Sequence, residues 1–366
     1  MQFTQKAKQH IDSCRFCWMC HHACPVGNAT GQERNTARAR ALGLSMVARG
    51  AIEYTDDIIK NAYECCLCGG CMTDCVTGWD PVMFTKEARL GAALDGKLPE
   101  YVMTMLQNIS ESGNIYGEKE IADVLKAAIK DLPAKADVLF FIGKDGAYRT
   151  PEKAALAVEL LKKAGVDFTV DKFEKNSCYD MDFLIGAAEE TRQAMATTAE
   201  AINAIGASTV VCYDAEDAKV FLREYKEYGI ELKANVVTFP AYIAKLIADG
   251  KLAPKKSAAT FTFQDPASLA RDLEDSDSAR KVLAACGELR DMLLCGKYTM
   301  VAGKLIMNEY MPAVMKTIAK NRWINAKNIG ATTVVTASPS EYYLLNATND
   351  GSVELITIEE AVLRCL

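Results

Sequence analysis

Cys14–Gly27 reads CRFCWMCHHACPVG, and Glu64–Cys75 reads ECCLCGGCMTDC. The two stretches carry one cysteine spacing twice. Cys14, Cys17, Cys20 and Cys24 give C-x2-C-x2-C-x3-C followed by Pro25, and Cys65, Cys68, Cys71 and Cys75 repeat it with Val76 in the place of the proline. Three thiolates with two residues between neighbours wrap one corner of a compact cluster, while a fourth, after three intervening residues, is turned away toward a second cluster. The expected ligand sets therefore cross. One 4Fe-4S cluster is expected on Cys14, Cys17, Cys20 and Cys75, and the other on Cys65, Cys68, Cys71 and Cys24.

Structural zinc is the rival reading of so many cysteines. Zinc sites present separated pairs of ligands that close a tetrahedron, and two tight triplets with a trailing cysteine divide awkwardly among zinc ions. Disulfides fit less well still, because the cysteines are too dense for a staple framework and MQFTQKAKQHIDSC has no secretory apolar core. Nine of the 14 cysteines lie between residues 14 and 75; Cys178, Cys212, Cys286, Cys295 and Cys365 are scattered. That usage fits a reducing compartment, so a cytoplasmic location is expected.

The 366 residues suffice for two or three domains. Half are apolar and a quarter charged, as in an ordinary globular chain. The net charge of −6 offers no basic field for nucleic acid, and no apolar run reaches the length of a membrane span. No G-x-G-x-x-G follows a strand, no P-loop occurs, and three histidines offer no nucleophile–base pair. Catalytic residues are accordingly not expected.

Outward from the motifs, residues 1–130 read as an all-helical domain holding both clusters. Asn35–Arg49 forms a spacer helix stopped by Gly50, and Thr55 is the N-cap of a second helix running into Cys65. Further helices cover Phe84–Leu94 and follow Pro99 and Gly117, with Glu111–Gly117 irregular. Arg34, Arg38, Arg40 and Arg49 lie on or near the spacer helix. They read either as cations that raise the cluster potentials or as a solvated basic face, and sequence leaves both open. Trp18, Met19, Met72 and Trp79 read as apolar shields around the ligands, His10, His21 and His22 as non-ligands, and Cys66 as a spare buried thiol.

From Ala136 onward short apolar runs alternate with helices. Val138–Ile142, Phe168–Val170, Thr209–Cys212 and Val236–Phe239 are the expected strands of an α/β unit over 136–251. A second such unit covers 257–366, after the break KLAPKKS at Lys251–Ser257. Ile205–Val211 (IGASTVV) recurs as Ile329–Val335 (IGATTVV), the signature of a duplication. The expected class is α+β multidomain: a helical two-cluster domain, then two α/β repeats with mostly parallel sheets.

CRFCWMCHHACPVG, ECCLCGGC and the tandem α/β repeat together resemble the iron-sulfur subunits of heterodisulfide reductase, anaerobic glycerol-3-phosphate dehydrogenase and glycolate oxidase. The resemblance covers essentially the whole chain. In that family each repeat carries a CCG tripeptide and a later C-P-x-C, which in some members bind a further cluster or zinc. Here Ser177-Cys178-Tyr179 and Leu294-Cys295-Gly296 stand for CCG. Asp214–Asp217 and Ser338–Glu341 stand for C-P-x-C, and Ala267 ends a Gln264-Asp265-Pro266 stretch where the family has a cysteine. Asp214, Asp217 and Glu341 read as solvated carboxylates or helix caps.

The resemblance implies two 4Fe-4S clusters here, FAD on a partner, and electron transfer without bond chemistry in anaerobic metabolism. The implied partner is a flavoprotein dehydrogenase, acting on a 2-hydroxyacid or related substrate, with other iron-sulfur or electron-carrier proteins as possible acceptors. The rival readings are a subunit of a heterodisulfide-reductase-like or electron-bifurcating complex, and a redox-sensing or assembly protein.

Overall fold

The computed structural model describes residues 1–170 and 178–366. Its first part is helical, with Gln5–Ser13, Ala37–Ala48, Asp56–Tyr63, Pro81–Leu94 and Glu100–Ser112 as the longer helices. Side-chain chemistry fixes their starts. Thr4, Thr36 and Asp80 accept the backbone N–H groups of Ala7, Ala39 and Met83, and Pro81 opens its helix where no N–H is required. The spacer helix begins two residues later than the sequence predicts, because Glu33–Asn35 is a 3-10 turn and Thr36 caps. Gly50 turns the chain at φ +68° as expected, while Thr55 precedes its helix without a side-chain cap bond.

Two four-stranded parallel sheets follow. The first comprises β1 (Val138–Phe141), β2 (Phe168–Val170), β3 (Thr209–Cys212) and β4 (Asn235–Thr238), ordered β2-β1-β3-β4. The second comprises β5 (Thr260–Gln264), β6 (Glu288–Leu289), β7 (Thr333–Thr336) and β8 (Glu354–Thr357), ordered β6-β5-β7-β8. The orders are the same, and the IGA-(S/T)-T-V-V segments occupy equivalent places: Gly206 and Gly330 turn with positive φ into β3 and β7. β4 stops one residue short of the expected Phe239, which opens a helix with Pro240 in its first turn.

Sequence periodicity does not reveal two five-residue π-helical turns, Val220–Glu224 and Ser268–Asp272, one in each α/β unit. Such turns widen the helix and re-aim side chains. They carry Arg223 and Arg271. Arg223 donates to the Asp272 carbonyl at 3.0 Å, and Arg271 reaches into the helical part, as described below.

Two apolar cores hold these parts together. One joins Ile11, Leu44 and Phe84 of the helical part to Met195 and Ile202 of the first α/β unit and Met315 and Trp323 of the second. The other lies where helices of the two units meet, through Val158, Ile243, Leu283 and Val362. Between the units, Tyr213 donates to Glu359 at 2.8 Å, and Lys304 bonds Tyr179 at 2.7 Å and also Glu216.

Candidate iron-sulfur centres

The eight motif cysteines are all free thiols and form two groups. Cys14 lies within electrostatic reach of Cys17 and Cys75, and Cys20 of Cys14 and Cys17. Cys24 is close to Cys65 and Cys68, and Cys71 to Cys68, Cys65 and Cys24. Cys24 thus stands near the second motif's triplet, and Cys75 near Cys14 of the first. Among the described residues no three His, Cys, Asp or Glu side chains converge on a point as a single ion requires. Cys24, Cys65, Cys68 and Cys71 line one small, almost wholly apolar cavity together with Arg40 and Pro81.

Local backbone geometry builds both cages alike. Phe16 and Leu67, each two residues after the first cysteine of its motif, adopt φ of +53° and +50°. This left-handed turn is uncommon outside glycine. It aims the Phe16 N–H at Cys14 Sγ at 3.3 Å and the Leu67 N–H at Cys65 Sγ at 3.4 Å. Cys24 caps the Pro25–Thr30 helix, accepting from the Gly27 N–H at 3.4 Å, and the Arg38 N–H, in the first turn of the spacer helix, points at Cys20. Thr77 Oγ1 lies 3.2 Å from Cys75 Sγ. Such N–H and O–H donors favour thiolate over thiol.

Even with Arg38 and Arg40 nearby, the thiols resist ionisation. Burial, then the neighbouring cysteines, push Cys14, Cys24 and Cys71 up and Cys20 to about 11. Metal binding reverses this, because a coordinated thiol is deprotonated outright. Two cages of four sulfurs, each with backbone donors, fit 4Fe-4S clusters in ligand number and ligand softness.

The two cages differ in exposure. Cys17 is exposed, and Phe16, Trp18 and Met19 around it are 42%, 58% and 50% exposed. The shielding expected of Trp18, Met19 and Met72 is not observed; Trp79 alone of the four is buried. Trp18 instead supports Arg38, whose guanidinium sits 4.5 Å over its ring. His10 accepts from the Asp80 N–H at 2.9 Å, and His22 pairs with Asp74 at 3.4 Å, so neither stands among the thiols. Cys66 is buried beside Cys65.

The four arginines divide. Arg34 and Arg49 are solvated, pairing with Glu64 and Asp12. Arg38 is partly covered beside Cys14 and shares its charge with Glu33 at 3.0 Å. Arg40 is buried, lines the cage of Cys24, Cys65, Cys68 and Cys71, and donates from Nη2 to the Asn35 carbonyl at 3.0 Å.

Residues outside the motifs fix the second cage. Arg89, fully buried, donates to the carbonyls of Ala62 (3.0 and 3.2 Å), Cys65 (2.7 Å) and Phe183 (2.5 Å) and stacks between Tyr63 and Phe183. Tyr310 donates to the Tyr63 carbonyl at 2.7 Å, and Tyr63 to the Leu184 carbonyl at 2.8 Å. Arg271 donates to the carbonyls of Cys68 (2.7 Å), Lys297 (2.8 Å) and Thr299.

The positions that stand for CCG and C-P-x-C hold polar networks. Ser177 lies outside the described residues. Cys178 is buried near Thr198. Asp265 is clamped by Arg280 at 2.7 and 2.9 Å and by the Gly296 N–H at 2.8 Å. Glu341 accepts from the Ala302 N–H at 2.9 Å and from Gln264 at 3.2 Å, and Arg322 in turn holds Gln264 and the Leu293 and Leu294 carbonyls. Asp214 caps the next helix, one of the two roles expected, and like Glu341 and Asp217 it is buried, so none of the three takes the solvated alternative. Burial pushes the Glu341 carboxyl up to about 8.

Residues 13–80 match the family model of the 4Fe-4S dicluster domain. One of the polypeptides of the dihydromethanophenazine:CoB–CoM heterodisulfide reductase of Methanosarcina mazei is 26% identical over 301 residues, 75% of this chain and 72% of that protein. The EtfAB:quinone oxidoreductase of Syntrophomonas wolfei subsp. wolfei is 23% identical over 336 residues, 78% of this chain and 46% of that protein. A hypothetical protein from Helicobacter pylori, known from its crystal structure, shares the fold with a TM-score of 0.54 over 99% of this chain and 73% of its own, at 11% identity. No helix among the described residues is long and apolar enough to cross a membrane.

Proposed function

We propose, for a chain that belongs with the iron-sulfur subunits of heterodisulfide reductase and related oxidoreductases, that it relays electrons from a flavoprotein to a further acceptor through two 4Fe-4S clusters on crossed ligands. Cys14, Cys17, Cys20 and Cys75 hold one, and Cys65, Cys68, Cys71 and Cys24 the other. The observation that carries this reading is the exchange of each motif's last cysteine into the other's group. When bound, the clusters supply one-electron centres held close together by their shared loops.

The protein's own residues do the rest. The Phe16 and Leu67 N–H groups and the helix starts at Cys24 and Arg38 stabilise anionic sulfur. The exposed rim of Phe16, Trp18 and Met19 leaves the first cage accessible to a partner, while Arg89, Arg271 and Tyr310 hold the second rigidly within the protein. The C-terminal units serve as the platform. Their residual CCG and C-P-x-C positions are filled by the Asp265–Arg280 and Glu341–Gln264–Arg322 networks, which favours relay over disulfide cleavage.

Oxidoreductase partners agree with the complexes named among the relatives, and a flavoprotein donor of the 2-hydroxyacid dehydrogenase class is our choice from the family resemblance. The relation to the heterodisulfide reductase polypeptide favours, as a second reading, a place in a larger complex of that type. Anaerobic purification of the tagged chain from its own cells tests both. About eight irons and eight sulfides per chain are expected, together with a co-purifying flavoprotein whose flavin bleaches on adding a hydroxyacid. Several iron-sulfur subunits without such a dehydrogenase would favour the larger complex, and zinc without sulfide would end the cluster reading.

A further inference from the structure

We propose that Arg40 raises the reduction potential of the centre on Cys24, Cys65, Cys68 and Cys71 by aiming two unshared N–H donors into its cage. The inference rests on the dicluster reading above and deepens it, by giving the two centres different potentials through one residue.

Arg40 is 4% exposed, at the end of the first turn of the spacer helix. Its Nη2 is satisfied by the Asn35 carbonyl, but Nε and Nη1 are buried with no hydrogen-bond partner. Among the described residues no carboxylate lies within ion-pair distance of it. A buried guanidinium left in this way is costly unless an anion compensates it. The anion is at hand. The guanidinium lines the same cavity as Cys24, Cys65, Cys68 and Cys71, and the charges that act on it are those of cysteines. Asn35 links the two groups directly, since its carbonyl takes both Arg40 Nη2 at 3.0 Å and the Cys24 thiol at 3.2 Å. Once Cys24 is ionised it has no proton to donate there, and the carbonyl is left to Arg40.

The same side chain also lines an open surface pocket with Arg34, Gly43 and Asn61. Arg40 is therefore the partition between solvent and the second cage. The first cage has a different cation. Arg38 gives part of its charge to Glu33, rests on the exposed Trp18 and is only partly covered, although its Nη1, too, is buried without a hydrogen-bond partner. Reduction adds negative charge, and a dry, unneutralised cation beside the sulfurs, with N–H donors not taken by protein oxygens, favours the reduced state of the centre whose cavity it lines.

The experiment is an anaerobic redox titration of the full chain followed by EPR, on wild type, Arg40→Gln, Arg40→Lys and Arg49→Gln. Two one-electron steps are expected in the wild type. Arg40→Gln should move one step down by at least a tenfold change in the reduced-to-oxidised ratio, about 59 mV for one electron, and leave the other in place. Arg40→Lys should move the same step less, and Arg49→Gln, solvated on the same helix, neither. Two retained clusters with unmoved steps in Arg40→Gln would overturn the proposal, as would equal movement of both steps. Absence of any cluster in the wild type would instead overturn the dicluster reading. If the Arg40 variants lose a cluster, wild-type protein labelled with [15N]arginine decides: pulsed EPR should detect guanidinium nitrogen coupled to one reduced centre, and no such coupling would overturn the proposal.

Discussion

Cys24 and Cys75 each end one motif, yet Cys24 lies near Cys65 and Cys68 of the second and Cys75 near Cys14 of the first. Double substitutions test that crossing. Cys75→Ser should lower iron from about eight to about four per chain, and adding Cys14→Ser should lower it no further, because both belong to one centre. Cys65→Ser with Cys75→Ser should instead remove nearly all of it. Four irons in that second double variant would mean that the motifs do not cross. Glu341 supports a different prediction. Its carboxyl, raised by burial to about 8 from 4.5, keeps in the folded chain a proton that the unfolded chain releases. Stability from this group is therefore present at low pH and declines as pH rises from about 4.5 through 8. Thermal midpoints between pH 6 and 9 should fall more steeply for wild type than for Glu341→Gln, whatever the variant's absolute stability; parallel slopes would contradict the assignment.

At the level of elements, the second cage depends on side chains borrowed from elsewhere. Arg89 sits on the buried face of Pro81–Leu94 beside Thr85, Ala88 and Ala92, and serves three carbonyls from two parts of the chain. Arg89→Leu leaves those carbonyls without a donor, at roughly 1–3 kcal/mol each, so a fall of about 3 kcal/mol or more in denaturant-measured stability is expected. Lysine should restore only part, because it lacks the planar fork. The cysteine motifs, most strands and the duplication were legible in the sequence, since spacing and apolar runs are local signals. Arg89 left a trace too, as a lone arginine on an otherwise apolar helical face. Arg271, Tyr310 and the π-helical turns left none. Their roles depend on contacts across some 200 residues or on an added backbone bond that no periodicity encodes. Arg38 and Arg40 are two apart on one helix, and which of them is buried alongside which cage is decided by the packing of the 3-10 turn and the spacer helix.

Over the whole molecule, one apolar core runs from the N-terminal helices into both α/β units, and the hydrogen bonds of Arg89, Tyr63, Tyr310 and Arg271 cross the same boundary. Cluster binding should then stabilise the chain as a unit, as any ligand of the folded state does. Calorimetry should give one transition for the iron-loaded protein, and removing iron should lower the midpoint of the C-terminal units as well. A C-terminal transition indifferent to iron would show the parts to be independent. The tethering is unequal between the two cages: the second is tied to both α/β units, whereas the Phe16–Met19 loop of the first lies at the surface. That inequality separates what descent can alter from what it must keep. Substitutions at Phe16, Trp18 or Met19 can re-tailor the chain to a new redox companion one residue at a time, while the loop around Cys65 and Cys68 can drift only in concert with residues hundreds of positions away.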